Sequence, residues 1–123
     1  MTGNGIRACV LAMVCGAFVA SAALARSPYD GGWSVVFYTR SGACDATYRT
    51  GVIIQNGVIY AETGGINFSG QVSSNGAVRA SVSSGGQYAS GGGRLSHYSG
   101  GGVWQGQGSR GACSGTWTAD RRG

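Results

Sequence analysis

The chain has no lysine, one histidine, one proline and only four acidic side chains among its 123 residues, and each shortage closes off a chemistry. With His97 as the sole imidazole, a Ser-His-acid centre would have to be built in Ser96-His97-Tyr98-Ser99, a polar turn sequence where a mobile side chain is expected. Asp30, Asp45, Glu62 and Asp120 fall in or near loops, and no motif joins any two as the carboxylate pair of a glycosidase. Gly91-Gly92-Gly93 leads into a strand pattern rather than a helix, so it is not a phosphate loop. Helical spacing is missing from residue 26 onward, and Pro28 lies ahead of the first strand, where it interrupts nothing. The expectation is a protein that is not an enzyme.

What the chain does have begins with an address. Arg7 and the amino terminus precede an apolar run, Ala8 to Ala23, that ends in Ala23-Leu24-Ala25, the small-x-small pattern of a cleavage site. Residues 1–25 therefore read as a cleavable signal peptide and 26–123 as a single glycine-rich β domain, periplasmic or secreted from a bacterium. A membrane anchor fits less well, because the run is short for a bilayer and lacks a basic stop-transfer flank. A lipoprotein is disfavoured because Cys15 follows Ala12-Met13-Val14 rather than a small residue. No membrane span is left after cleavage.

Removing the signal also removes Cys9 and Cys15. The two remaining cysteines, Cys44 and Cys113, should pair in an oxidising compartment. Two cysteines and a distant His97 lack the paired spacing of a zinc site. Eight arginines against four acids leave the domain at +4, a balance that favours weak contact with anionic polysaccharide or lipopolysaccharide. The arginines are scattered, so no specific nucleic-acid surface is expected, and solubility is the favoured account of the charge.

Apolar residues alternate with polar ones between regularly spaced turn signals, which means strands. The first runs near Gly32 to Arg40 with Trp33, Val35 and Phe37 on one face. Thr47 to Gln55 and Val58 to Thr63 flank Asn56-Gly57, a two-residue hairpin signal that sets Ile54 opposite Ile59 and Val52 opposite Ala61. The fourth strand, Gly65 to Ser73, points Ile66, Phe68 and Val72 inward. A two-residue turn at Asn75-Gly76 would set Val72 against Arg79, whereas a three-residue loop pairs Val72 with Val78 and Phe68 with Val82. A bulged turn with Gly76 left-handed is therefore predicted. Ala77 to Ser83, Gln87 to Leu95, a strand through Gly100, Gly102, Trp104 and Gly106, and Ala112 to Ala119 complete eight, with Trp104 expected over glycine backbone.

Eight antiparallel strands in chain order form a meander. Cys44 after the first strand and Cys113 in the last favour its closure into a small barrel, with a two-sheet sandwich as the alternative. An outer-membrane barrel is rejected, because the outer faces are rich in Ser, Thr and Gln and show no aromatic girdles.

Gly31-Gly32-Trp33 and the terminal Arg121-Arg122 resemble the Gly-x-Trp opening and closing arginine of the calycin barrels, lipocalins and avidin-like proteins, which implies a closed barrel. From Tyr29-Asp30-Gly31 to Ala112-Cys113-Ser114-Gly115-Thr116-Trp117 the domain also resembles small exported proteins of rhizobia and their relatives. Some of these carry names invoking haem utilisation or adhesion. Two functions follow as expectations. One is the binding of a small or saccharide ligand near one barrel mouth by His97, Tyr98 and Trp104; the other is an adhesive or structural surface module. No cofactor is expected, haem through His97 resting on one residue, and the favoured reading of the three tryptophans is core.

Overall fold

Asn56-Gly57 and the Ser74-Asn75-Gly76 loop set the register of the whole sheet. In the computed structural model, which describes residues 27–62 and 64–122, Asn56 and Gly57 both take positive φ (53° and 79°) and carry a two-residue turn. That turn joins β2 (Thr47–Gln55) to β3 (Val58–Ala61), with Ile54 opposite Ile59 and Val52 opposite Ala61. Gly76, at φ 90°, closes the three-residue loop between β4 (Asn67–Val72) and β5 (Ala77–Ser84). Ser73 N–H donates to the Ala77 carbonyl at 2.9 Å, and Val72 pairs with Val78 and Phe68 with Val82.

The remaining strands are β1 (Gly31–Ser41), β6 (Gln87–Leu95), β7 (Ser99–Gly108) and β8 (Gly111–Arg121). All eight pair antiparallel in chain order, and β1 pairs with β8, so the sheet is a closed barrel, although the short β3 leaves Thr47–Arg49 of β2 and Asn67–Ser69 of β4 without a ladder partner on that side. The sandwich alternative is thereby set aside. The signal segment 1–25 lies outside the described residues, as does Thr63. Among the described residues no helix is long and apolar enough to cross a membrane.

The outline differs from the sequence expectation at strand ends, and β3 ends at Ala61 rather than at Thr63. Ile66 does not belong to the fourth strand: Gly65 takes φ 85°, a conformation that cannot continue a ladder, and the strand starts at Asn67. In β1 the pairing with β8 slips between Thr39 and Ser41.

Alternation places one face of every strand inside. Trp33, Val52, Ile54, Ile59, Val72, Val78, Leu95, Trp117 and Ala119 are buried together toward the end where β1 begins and β8 finishes. The two long indoles on β7 and β8 need flat wall to lie on. A Cβ on Gly102 would stand 2.8 Å from Trp117 Nε1, and one on Gly115 would stand 3.0 Å from Trp104 Nε1. Each indole thus lies across a glycine of the neighbouring strand, and Trp117 Nε1 reaches on to the Gly92 carbonyl at 3.2 Å. The expected packing of Trp104 over glycine holds, with Gly115 of β8 as the glycine it covers.

Candidate functional site

The two ends of the barrel are built differently. At the end where β1 starts, Tyr29 is buried, Trp33 Nε1 donates to the Tyr29 carbonyl at 2.9 Å, and Asp30 accepts from the backbone N–H groups of Asn56 and Gly57 at 2.8 and 3.3 Å. Arg121 donates to the carbonyls of Pro28 (3.1 Å), His97 (2.7 Å) and Asp30, and its guanidinium lies over the Trp33 ring. The chain entry, the β6–β7 turn and the chain exit are thereby laced shut.

The opposite end, where β1 ends and β8 begins, is open. A cavity of about 340 Å³ enters there, walled by Phe37, Tyr48, Phe68, Val82, Ala89 and Trp104. Beneath it a gap of about 60 Å³ is lined only by apolar side chains and Gly91, and Phe37 and Phe68 border both spaces as the floor. Phe37 meets Trp104 edge-on at 6.5 Å between centroids, and Tyr48 tilts against Phe37 at 6.2 Å. Eight strands enclose an interior wide enough to be filled by side chains or to admit one small ligand. Here the closed end is filled and the open end is not.

Several polar groups at the mouth already have partners. Trp104 Nε1 donates to the Tyr38 and Thr116 carbonyls at 3.2 and 3.1 Å, the Thr39 hydroxyl to the Asp45 carbonyl at 2.6 Å, and the Ser84 hydroxyl to the Gly65 carbonyl at 3.1 Å. Trp104 therefore offers a ring and no donor. The Tyr48 hydroxyl, the amides of Gln87 and Gln107 and the Asp45 carboxylate are left to meet a ligand at the rim. The rim is fastened by the Cys44–Cys113 disulfide (Cα–Cα 6.1 Å), which ties the β1–β2 loop to the start of β8 and puts Cys44 in the cavity wall.

His97, Tyr98 and Trp104 do not come together. His97 and Tyr98 sit in the β6–β7 turn at the laced end, with Tyr98 77% exposed, whereas Trp104 faces inward near the open end. The grouping fails because residues six or seven apart on a strand lie ~20 Å apart along it. Phe37, Tyr48 and Phe68 were missed as site residues. Their inward alternation was legible, but which half of the barrel would remain unfilled was not.

Of the four acids, Asp30 caps a turn and Glu62 pairs with Arg122 at 2.7 Å, which holds its carboxyl below the usual carboxylate range. Asp45 is at the mouth and Asp120 is exposed on β8. Among the described residues no three His, Cys, Asp or Glu side chains gather as a metal centre would require. No family model, curated protein or solved structure matches the chain. The disulfide is compatible with an oxidising compartment outside the cytoplasm.

Proposed function

We propose that the domain is an exported, non-enzymatic binding barrel that takes one small, flat, largely apolar ligand through its open end. The observation that carries this reading is the asymmetry of the interior: one end is packed and laced by Arg121, and the other holds a 340 Å³ cavity floored by Phe37 and Phe68 and walled by Trp104. That volume is at the small end of the range for ligand pockets, about 300 to 1,000 Å³. A ring system would stack on the aromatic wall, and polar substituents would turn outward to Gln87, Gln107 and Tyr48.

Three observations support the rest of the reading. Among the described residues the acids are dispersed and His97 lies at the far end, which supports a binding rather than a catalytic role, and a haem in the cavity would have no contact with His97. The meeting of Trp33 with Arg121 in space supports the calycin-like reading of Gly31-x-Trp33. Export rests on residues 1–25 and is supported by the disulfide. Assembly through strand edges has little to work with, because the unpaired stretches are short and confined to β2 and β4 beside β3.

The test is titration with 1-anilinonaphthalene-8-sulfonate, alongside native mass spectrometry of protein recovered from the host's periplasm or medium. One dye per chain, with energy transfer from tryptophan and a several-fold weaker affinity in Phe68→Ala, is expected. No dye uptake by a folded protein whose native mass carries no adduct would overturn the reading.

A further inference from the structure

We propose that the outer face of β3–β6, continuing onto β7 and β8, is a second binding surface, and that its partner is an uncharged polysaccharide chain. The register aligns one outward residue from each neighbouring strand: Ser69 opposite Ser81, Ser81 opposite Ser90, Ser90 opposite Gln105 and Gln105 opposite Ser114. Strands repeat every ~4.8 Å, so this is a line of hydroxyls and amides at a fixed short spacing, running across the strands. A second line, Asn67, Ser83 and Tyr88, lies beside it.

Two exposed tyrosines flank these lines. Tyr60 (49% exposed) on β3 and Tyr88 (60% exposed) on β6 line one groove of about 510 Å³ that also contains Ser69, Ser81 and Ser90. They are separated by three strand spacings, roughly 14 Å around the sheet. Further shallow grooves continue the path past Gln71 and Arg79 on one side and past Gln105, Ser114 and Ser41 on the other. The surface is thus a track rather than a pit.

The chemistry of the track selects its occupant. The serines whose hydroxyls bond inside the protein, Ser27, Ser73, Ser84, Ser96 and Ser99, lie at strand ends and turns. The aligned serines face solvent or are half-buried with hydroxyls free for a partner. Neither line contains a charged group, and Arg79 stands at one margin only. Arg94, Arg121 and Arg122 have partners elsewhere, and Arg40 lies over Tyr38. Electrostatic complementarity therefore points to a neutral partner, unlike the acidic polymers that the net charge alone suggested. A chain of pyranose rings supplies flat faces for Tyr60 and Tyr88 and repeated hydroxyls for the serine line.

The experiment is affinity electrophoresis of the intact domain in native gels containing hydroxyethylcellulose, galactomannan or a soluble β-1,3-glucan. Retardation by at least one polymer is expected, unchanged by added salt because no charges take part. Tyr60→Ala should weaken it roughly fivefold, on the scale of one aromatic contact. Ser81→Glu, which places bulk and charge in the groove, should abolish it, and Tyr98→Ala at the laced end should leave it unchanged. Near-UV circular dichroism checks that each variant is folded. Absence of retardation in all three polymers, or retardation that survives both Tyr60→Ala and Ser81→Glu, overturns the proposal. A solution dimer dissociated by Tyr60→Ala would also overturn it, by giving this face to a second copy of the chain. Phe68, Val82 and Tyr88 line both spaces, but Tyr60, Ser69, Ser81 and Ser90 do not border the mouth cavity, so Tyr60→Ala and Ser81→Glu test this face separately from dye binding at the mouth.

Discussion

The Arg121 guanidinium stands 5.2 Å from the centre of the Trp33 indole, at the end of the barrel where the chain both enters and leaves the sheet. Trp33 is 1% exposed and its own N–H is satisfied by Tyr29. Arg121 therefore covers an indole that needs no further partner and spends its donors on three carbonyls from two separate segments, Pro28 and Asp30 before β1 and His97 before β7. A planar fork with five donors can do this, and an ammonium cannot match the geometry.

Arg121→Ala should accordingly cost about 2–3 kcal/mol, the scale of hydrogen bonds to a charged group together with a cation–π contact. Arg121→Lys should recover less than half. Urea unfolding followed by tryptophan fluorescence measures both; a loss under about 0.5 kcal/mol in Arg121→Ala would show that the latch does not hold the end closed.

Glycines should divide by what lies opposite them, whether on the inner wall or in an exposed turn. Gly102→Ala drives a methyl into the Gly92 carbonyl and leaves it 2.7 Å from the Gly93 Cα and 2.8 Å from Trp117 Nε1, and should cost about 2 kcal/mol or more through overpacking. Gly64→Ala meets nothing within 4 Å and should be neutral or stabilise by up to about 1 kcal/mol through the unfolded chain. Equal midpoints in thermal unfolding would contradict the account of how the indoles pack.

This contrast also explains what could be read in advance. The Asn56-Gly57 and Ser74-Asn75-Gly76 turns fix phase, and strict alternation on β4, β5 and β8 then assigns every inward residue, so strand order, pairing and the Cys44–Cys113 bond were legible. The site was less so. Which interior half stays open depends on the reach of three indoles across neighbouring strands and on Tyr29 folding in as a plug, both long-range packing events without a local pattern. The bulge at Thr39/Ser41 was invisible for the same reason, since it serves a loop tied to β8.

The Glu62–Arg122 pair supplies a pH prediction of known sign. Glu62 is held below the usual carboxylate range first by the hydrogen bond from Arg122, against some desolvation. A depressed carboxylate pKa adds stability above the unfolded-state value, and that contribution is lost as the pH falls through the folded value. Both side chains are largely exposed, so the effect on the unfolding midpoint should be slight. Carbon-13 NMR titration of the Glu62 carboxyl should give a value below the ordinary range that returns to it in Arg122→Ala. An unchanged titration in that variant would remove the pair from the account.

The disulfide should matter more than any single contact at the open end. Cys44 and Cys113 are 69 residues apart in sequence, and closing a loop of that length stabilises the fold by about 4 kcal/mol on the chain-entropy model. Such a share of a small domain's total stability should lower the thermal midpoint of Cys44→Ser/Cys113→Ser by well over ten degrees. The effect should also be local, because Cys44 forms part of the cavity wall while the laced end does not involve it. Dye affinity at the mouth should fall in the folded double variant at temperatures well below its midpoint, whereas the near-UV signal of buried Trp33 should persist. A double variant with full dye affinity would separate the disulfide from the mouth and leave it a purely global clamp.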